Sequence, residues 1–247
     1  MNLILVDASE LARDGTVTLR DGRARHIRQV LATPPGETVR VGVIDGAIGV
    51  GTVTLATDEA VALTCTWADA PPRPAVDVLL AVPRPKVMRR LWAQLAALGV
   101  GRIVLTNAAR VERNYFDTHV LSPDCYRPLL LEGLQQARDT RVPLVTVHRQ
   151  FRKLVEDELD TLTDARLRLV ADPAATATIG DAVSPQRDTR VVLAIGPEGG
   201  WNAFELELLD AHGFTRVGMG PRTLRSDTAC VGMIAVCHEA IREMSQS

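Results

Sequence analysis

The sequence predicts a two-part α/β protein, a small β-barrel followed by a larger domain built on a mostly parallel sheet. Three observations lead there. Short runs that alternate apolar with small or polar residues fill the first quarter of the chain. A proline-rich stretch, ADAPPRPA (68–75), then interrupts the pattern. Beyond it, near-continuous apolar runs alternate with amphipathic segments, as expected for strands covered by helices on both faces.

The first part, residues 1–70, holds VTL (17–19), ETVRVGVI (37–44), AIGVGTVTLA (47–56) and AVALTCTW (60–67), separated by turn chemistry such as PPGE and DG. One helical segment, ARHIRQVLA (24–32), sets Ile27, Val30 and Leu31 on one face, with Arg23, Arg25 and Arg28 around the other. Such an arginine cluster is a solvated face or a binding surface. In the second part, residues 71–247, strands are expected at VDVLLAVP (76–83), RIVLTNA (102–108), VPLVTVH (142–148), RLRLVAD (166–172), TRVVLAIG (189–196) and FTRVGM (214–219). Helices are expected at VMRRLWAQLAAL (87–98), 123–137, FRKLVEDEL (151–159) and AFELELLDAHG (203–213). A last helix starts near Asp227, capped by Ser226 or Asp227, with an apolar face of Val231, Ile234, Ala235 and Cys237 or His238.

With 46% hydrophobic residues over 247 positions, the chain can bury a substantial core. A net charge of -2 argues against a protein that coats nucleic acid by bulk charge, yet leaves room for a local basic face. Arginine would form it, since lysine occurs only at Lys86 and Lys153. Cys65, Cys125, Cys230 and Cys237 form no CxxC pair and share no metal spacing with histidines, so reduced thiols and no metal are expected. The N-terminus lacks the basic and apolar regions of a signal peptide, and no apolar run reaches membrane length. These features point to the cytoplasm.

The chemistry concentrates in two C-terminal loops. IGPEGGW (195–201) leaves the end of an apolar strand, where open parallel sheets bind ligands, and leads into a helix with Asn202 and Glu205 spaced as a capping box. Its glycines let backbone approach a ligand. No GxxxxGK[ST] occurs, and the nearest approach to GxGxxG, at 218–223, carries Thr223 where the third glycine belongs. Glu198 would repel a pyrophosphate and attract a cation. The second loop, MGPRTLRSDTA (219–229), sets Arg222 and Arg225 just before a helix start, where cations are unfavourable unless a ligand is served.

IGPEGGW and MGPRTLRSDTA, paired and in this order, resemble the SPOUT class of RNA methyltransferases, in particular the RsmE family of small-subunit (16S) rRNA uridine-N3 methyltransferases. LGVGRIVLTNAARVERNY (98–115), ARDTRVPLV (137–145) and HIRQVL (26–31) resemble further blocks of that family, so the likeness spans nearly the whole chain. Departures fall at Ala32, Ala97, PRPKVMRR and the pair Arg138-Asp139, all outside the two loops. The resemblance implies a PUA-like RNA-binding β-barrel, then a SPOUT domain with a C-terminal deep trefoil knot, a homodimer joined through the knotted domain, and S-adenosyl-L-methionine as cofactor.

Carried onto this sequence, the resemblance implies a cofactor site of Thr106, Ile195, Gly196, Pro197, Glu198, Gly199, Gly200, Met219, Gly220, Pro221, Thr223, Leu224, Arg225 and Ala229. Arg225 is the candidate to stabilise the anion formed when uridine loses its imide proton. Glu198 either polarises substrate or braces its loop by accepting backbone N–H bonds. RNA-facing candidates are Arg23, Arg25, Arg28, Lys86, Arg110, Arg113, Arg138, Arg141 and Arg222. Trp201 and Tyr115 either help a base leave its stack or pack in the core. The alternatives are a methyltransferase acting on another RNA and a catalytically silent ribosome-assembly factor.

Overall fold

The computed structural model describes residues 2–183 and 190–246; Thr189, the first residue of the TRVVLAIG run, lies outside them. The chain forms two compact units, Met1–Arg73 with Leu130–Val142, and Pro74–Leu129 with Pro143–Ser247. The break between Arg73 and Pro74 falls within the proline-rich stretch. Residues 130–142, expected in the second part, instead join the first unit. Their hydrogen bonds explain why. Thr140 donates its hydroxyl to the Gly46 carbonyl (2.7 Å), and Arg141 donates to the carbonyls of Pro71 (2.5 Å) and Asp45 (2.8 Å). The Asp45 carboxylate in turn accepts the Val142 N–H at 3.0 Å.

The first unit is a curled five-stranded sheet of β1 (Ile4–Val6), β2 (Thr16–Leu19), β3 (Thr38–Val43), β4 (Ile48–Ala56) and β5 (Val61–Trp67), ordered β1-β3-β4-β5-β2. Only β1 and β3 pair in parallel. Alternate residues of these strands, among them Val17, Leu19, Val39, Val41, Val61 and Leu63, turn inward onto one core with Ile27 of α1 (Gly22–Gln29). Asp21 caps α1 by accepting the Arg23 N–H at 2.9 Å. The helix ends at Gln29, earlier than its periodicity suggests. Ala32 then turns the chain through a positive φ of 49°, which leaves Val30 and Leu31 exposed rather than on the buried face with Ile27.

The second unit contains a six-stranded sheet in which every pair is parallel. Its strands are β6 (Val76–Ala81), β7 (Val100–Thr106), β8 (Leu144–His148), β9 (Leu167–Ala171), β10 (Val191–Ile195) and β11 (Phe214–Val217), in the order β11-β9-β10-β6-β7-β8. β10 and β6 are central and buried along their whole length, which accounts for their unbroken apolar character. The helices of this unit are α2 (Pro85–Ala97), the start of α3 (Pro123–Ala137, which belongs to the first unit from Leu130), α4 (Phe151–Lys153), α5 (Leu159–Leu162), α6 (Ile179–Val183), α7 (Ala203–Ala211) and α8 (Ser226–Gln246). A π-helical turn, Leu154–Glu158, joins α4 to α5.

On α8 the buried face is Cys230, Met233, Ile234 and Cys237, whereas Ala235 is exposed. The spacing of three, four and seven from Cys230 is one helical stripe, and Ala235 lies off it. Burial pushes the Cys230 and Cys237 thiols up to about 12. Both are protonated packing groups at neutral pH.

Candidate active site

β9, β10 and β11 run in parallel, so the loops leaving Ala171, Ile195 and Val217 emerge at the same edge of the sheet. Between them lies a cavity of about 300 Å³, walled by Ile195, Gly196, Pro197, Glu198, Gly199 and Gly200 on one side. Thr223, Leu224 and Ala229 close it from the other side. A smaller hollow of about 70 Å³ shares Leu224 and Ala229 with it and adds Met219, Gly220 and Arg222. The two loops singled out by sequence therefore meet around one space.

Some expected members lie elsewhere. Thr106 ends β7, and β6 stands between β7 and β10; its buried hydroxyl is not a wall of the cavity. Pro221 and Arg225 are exposed on the loop before α8 and line neither space. Conversely, Asp172, Pro173, Trp201, Leu206 and Ser226 line the cavity without having been expected there. Asp172 had one sequence signal, an acid at the carboxyl end of a strand. Its carboxylate caps the turn below the cavity by accepting the Ala174 N–H at 2.9 Å.

The GPEGG loop is held from several directions. Gly200 adopts a φ of +72°, and a Cβ on Gly199 would fall 2.8 Å from the Arg110 side chain. Arg110 donates to the Gly199 carbonyl, so this arginine is a loop brace rather than an open cation for RNA. Glu198 accepts the Arg84 N–H at 3.2 Å, a bracing contact. Trp201 is buried and stacks on Phe151, with ring centroids 5.2 Å apart, and Tyr115 is buried with its hydroxyl on Glu112 at 2.9 Å. Both aromatics are packing groups. On the facing loop, a Cβ at Gly218 would lie 2.5 Å from the Ala175 carbonyl oxygen, so no side chain fits where β11 passes.

Beneath the loop, the capping box closes as its spacing predicts. Asn202 accepts the Glu205 N–H and Glu205 accepts the Asn202 N–H, each at 2.8 Å. Glu205 does more than cap. Its second oxygen accepts the Ala109 N–H at 2.6 Å, so this buried carboxylate ties the loop after β7 to the start of α7. Glu205→Gln replaces one of these acceptors by an NH₂ facing an N–H. The expected cost is about 1–3 kcal/mol, read as a lowered midpoint in urea denaturation.

The remaining arginines divide. Arg23 pairs with Glu10 (2.5 Å) and Asp21 (2.7 Å), Arg28 pairs with Asp58 (2.6 Å), and Arg141 is spent on carbonyls. Arg25, Lys86, Arg113, Arg138 and Arg222 are exposed. In the first unit Arg138 and Arg40 line one hollow of about 280 Å³, which adds Arg40 to the basic candidates. Among the described residues no group of three or more His, Cys, Asp or Glu could hold a metal ion.

A family model described as an RNA methyltransferase domain matches residues 71–238. Ribosomal RNA small subunit methyltransferase E of Treponema pallidum is 33% identical over 242 residues, covering 96% of this chain and 90% of that protein. The chain belongs to the ribosomal RNA small subunit methyltransferase E family. A second RsmE relative, from Borreliella burgdorferi, is 20% identical over 94% of each chain. The fold is likewise that of solved RsmE-like structures. The Neisseria gonorrhoeae RsmE, solved bound to S-adenosyl methionine, matches with a TM-score of 0.75 over 97% of each chain at 20% identity. A Legionella pneumophila methyltransferase, solved with its bound cofactor SAM, matches with a TM-score of 0.75 at 21% identity, again over 97% of each chain. The whole cavity and both loops that wall it lie within residues 71–238, the region matched by the RNA methyltransferase domain model.

Proposed function

We propose that this protein transfers a methyl group from S-adenosyl-L-methionine to N3 of a uridine in small-subunit ribosomal RNA. The observation that carries this is the convergence of the GPEGG loop and the MGPRTLRSDTA loop on one cavity, in a chain of the RsmE family. The cavity suits the donor. Ile195, Leu206, Leu224 and Ala229 offer apolar surface, the glycines offer bare backbone, and the acid Glu198 stands at its wall where a cationic sulfonium is favoured, whereas Asp172 is already paired with Arg216 at 3.5 Å. When bound, S-adenosyl-L-methionine supplies an electrophilic methyl group. The protein must then present N3 in line with it, help remove the imide proton and exclude water. In this reading Arg225, exposed and next in sequence to the lining residue Ser226, serves the chemistry rather than cofactor binding. Arg222 is the phosphate holder, with Lys86 and Arg113 as further exposed cations of the second unit and Arg25 and Arg138 as those of the first.

The family likeness supports three further elements of this reading. The curled sheet of the first unit is a PUA-like barrel that binds RNA, the C-terminal segment of the second unit passes through a deep trefoil knot, and two copies pair through it. α8 carries the exposed Val236 that such pairing would cover. A ribosome-modifying enzyme works in the cytoplasm; no helix among the described residues is long and apolar enough to cross a membrane.

Nucleoside mapping of ribosomal RNA by mass spectrometry tests the reaction and its target together. Cells lacking the protein are expected to lose 3-methyluridine from the small subunit and regain it on complementation. Intact 3-methyluridine in those cells overturns the assignment.

A further inference from the structure

On the other side of the first turn of α7 lies a second cavity, of about 380 Å³, between α7 and the loop that follows β7. It shares no lining residue with the GPEGG cavity. Phe204 stands at its wall and is 53% exposed, an unusual position for a large aromatic beside a helix N-terminus. Asn107 lines it too. The backbone of Asn107 is pinned by donation to the His148 carbonyl at 3.2 Å, while its side-chain oxygen is buried without a hydrogen-bond partner. A buried acceptor left alone costs free energy that a ligand N–H would recover.

The charges agree with a nucleic-acid occupant. Arg113 lines the cavity, is exposed and makes no ion pair among the described residues. Arg152 lines it with only its Nε engaged by Glu156, at 2.8 Å. The acid present, Glu205, is already occupied by two backbone N–H groups and does not oppose a phosphate freely. An exposed ring, an orphaned amide and two guanidinium groups match the needs of an unstacked nucleotide, namely a stacking platform, an edge reader and a phosphate clamp.

We propose that this cavity is a subsite for a nucleotide flanking the methylated uridine, held by stacking on Phe204, with Asn107 reading the base edge and Arg113 binding its phosphate. This rests on the reading of the protein as an RNA methyltransferase. The occupant is a neighbour of the target rather than the target itself, because the first turn of α7 separates this space from the cavity for the methyl donor.

The test uses small ribosomal subunits purified from cells lacking the protein. Phe204→Ala is expected to weaken subunit binding about 5- to 100-fold and to raise the KM for subunits, with kcat at saturation and S-adenosyl-L-methionine affinity unchanged. Phe204→Trp, which keeps a platform, restores binding. Arg113→Ala weakens binding and lowers the salt slope by about one. Subunit affinity and KM equal to those of the unmutated protein in both Phe204→Ala and Arg113→Ala overturn the proposal. So does an altered melting temperature or oligomeric state in Phe204→Ala, which assigns the ring to packing or to contact between copies. Failure of the unmutated enzyme to methylate any subunit instead overturns the proposed reaction, and is read without either variant.

Discussion

Arg225→Ala is expected to lower kcat for methyl transfer by about 10²- to 10³-fold while leaving S-adenosyl-L-methionine affinity nearly unchanged. Uridine N3 becomes nucleophilic only as its imide proton departs, and the negative charge then spreads over the ring. A guanidinium aimed at that charge acts in the transition state and not in the ground state, so its removal falls on kcat rather than on binding. The placement of Arg225 fits such a role. It is exposed, its side chain makes no ion pair among the described residues, and it adjoins Ser226, which lines the cavity. Its neighbours in sequence show the contrast, since Thr223 and Leu224 form wall and would disturb the cofactor if changed. Arg225→Lys keeps the charge but loses the planar fork, and should fall between the two. Single-turnover kinetics with subunits lacking the modification, beside calorimetry for the cofactor, checks both halves. An unchanged kcat with a raised KM for RNA would move Arg225 from the chemistry to RNA holding.

Asp77→Ala is expected to destabilise the second unit by about 3–5 kcal/mol without touching either loop. Asp77 interrupts the apolar run of β6, yet it is fully buried at the centre of the parallel sheet. It is tolerated because both oxygens are served, one by the Thr163 hydroxyl at 2.6 Å and the other by Arg190 at 2.9 Å. Removing the carboxylate leaves the buried Thr163 hydroxyl, which still accepts the Ala165 N–H at 3.1 Å, with no acceptor for its own proton, and leaves Arg190 among the described residues with the exposed Asp164 at 2.8 Å. Losing one member of a buried pair costs more than the pair contributes, because the survivor keeps its desolvation penalty. For a protein of this size the loss corresponds to a fall in melting temperature of about 10 °C. Asp77→Asn retains an acceptor for Thr163 and should cost less. Equilibrium denaturation decides it, and a change below about 1 kcal/mol in Asp77→Ala would show that Arg190 transfers wholly to Asp164.

Much of the architecture was legible because its signals are local. The apolar runs that became β6 and β10 are unbroken because both faces of a central parallel strand are covered, and this needs only neighbouring residues to read. The Asn202–Glu205 box needs three. The short elements escaped for the same reason: β1, three residues all buried, offers no alternation, and α6, five residues, offers barely one turn of periodicity. At the C-terminus a helical stripe was visible, but its phase was not, so Ala235 was expected inside and Met233 was overlooked.

For the arginines, sequence showed which positions carry charge but not what each charge meets. Arg23, Arg28, Arg110 and Arg141 looked alike as candidates for RNA. In the fold, Arg28 reaches Asp58 across 30 residues, Arg110 reaches Gly199 across 89 and Arg141 reaches Asp45 across 96. No periodicity encodes such meetings; they exist only once distant segments return to the same place. The same holds for Asp172, which joins the cavity because β9 lies between β10 and β11, and for Thr106, which is kept from it because β6 intervenes. By itself, then, the sequence determined the longer strands and helices, the two loops that meet at the cavity and the family they mark, since each is written in contiguous residues. The tertiary structure alone decided which side chains wall the cavity, which cations are met by other groups among the described residues and that residues 130–142 belong to the first unit. Those outcomes depend on strand order and on contacts far apart along the chain.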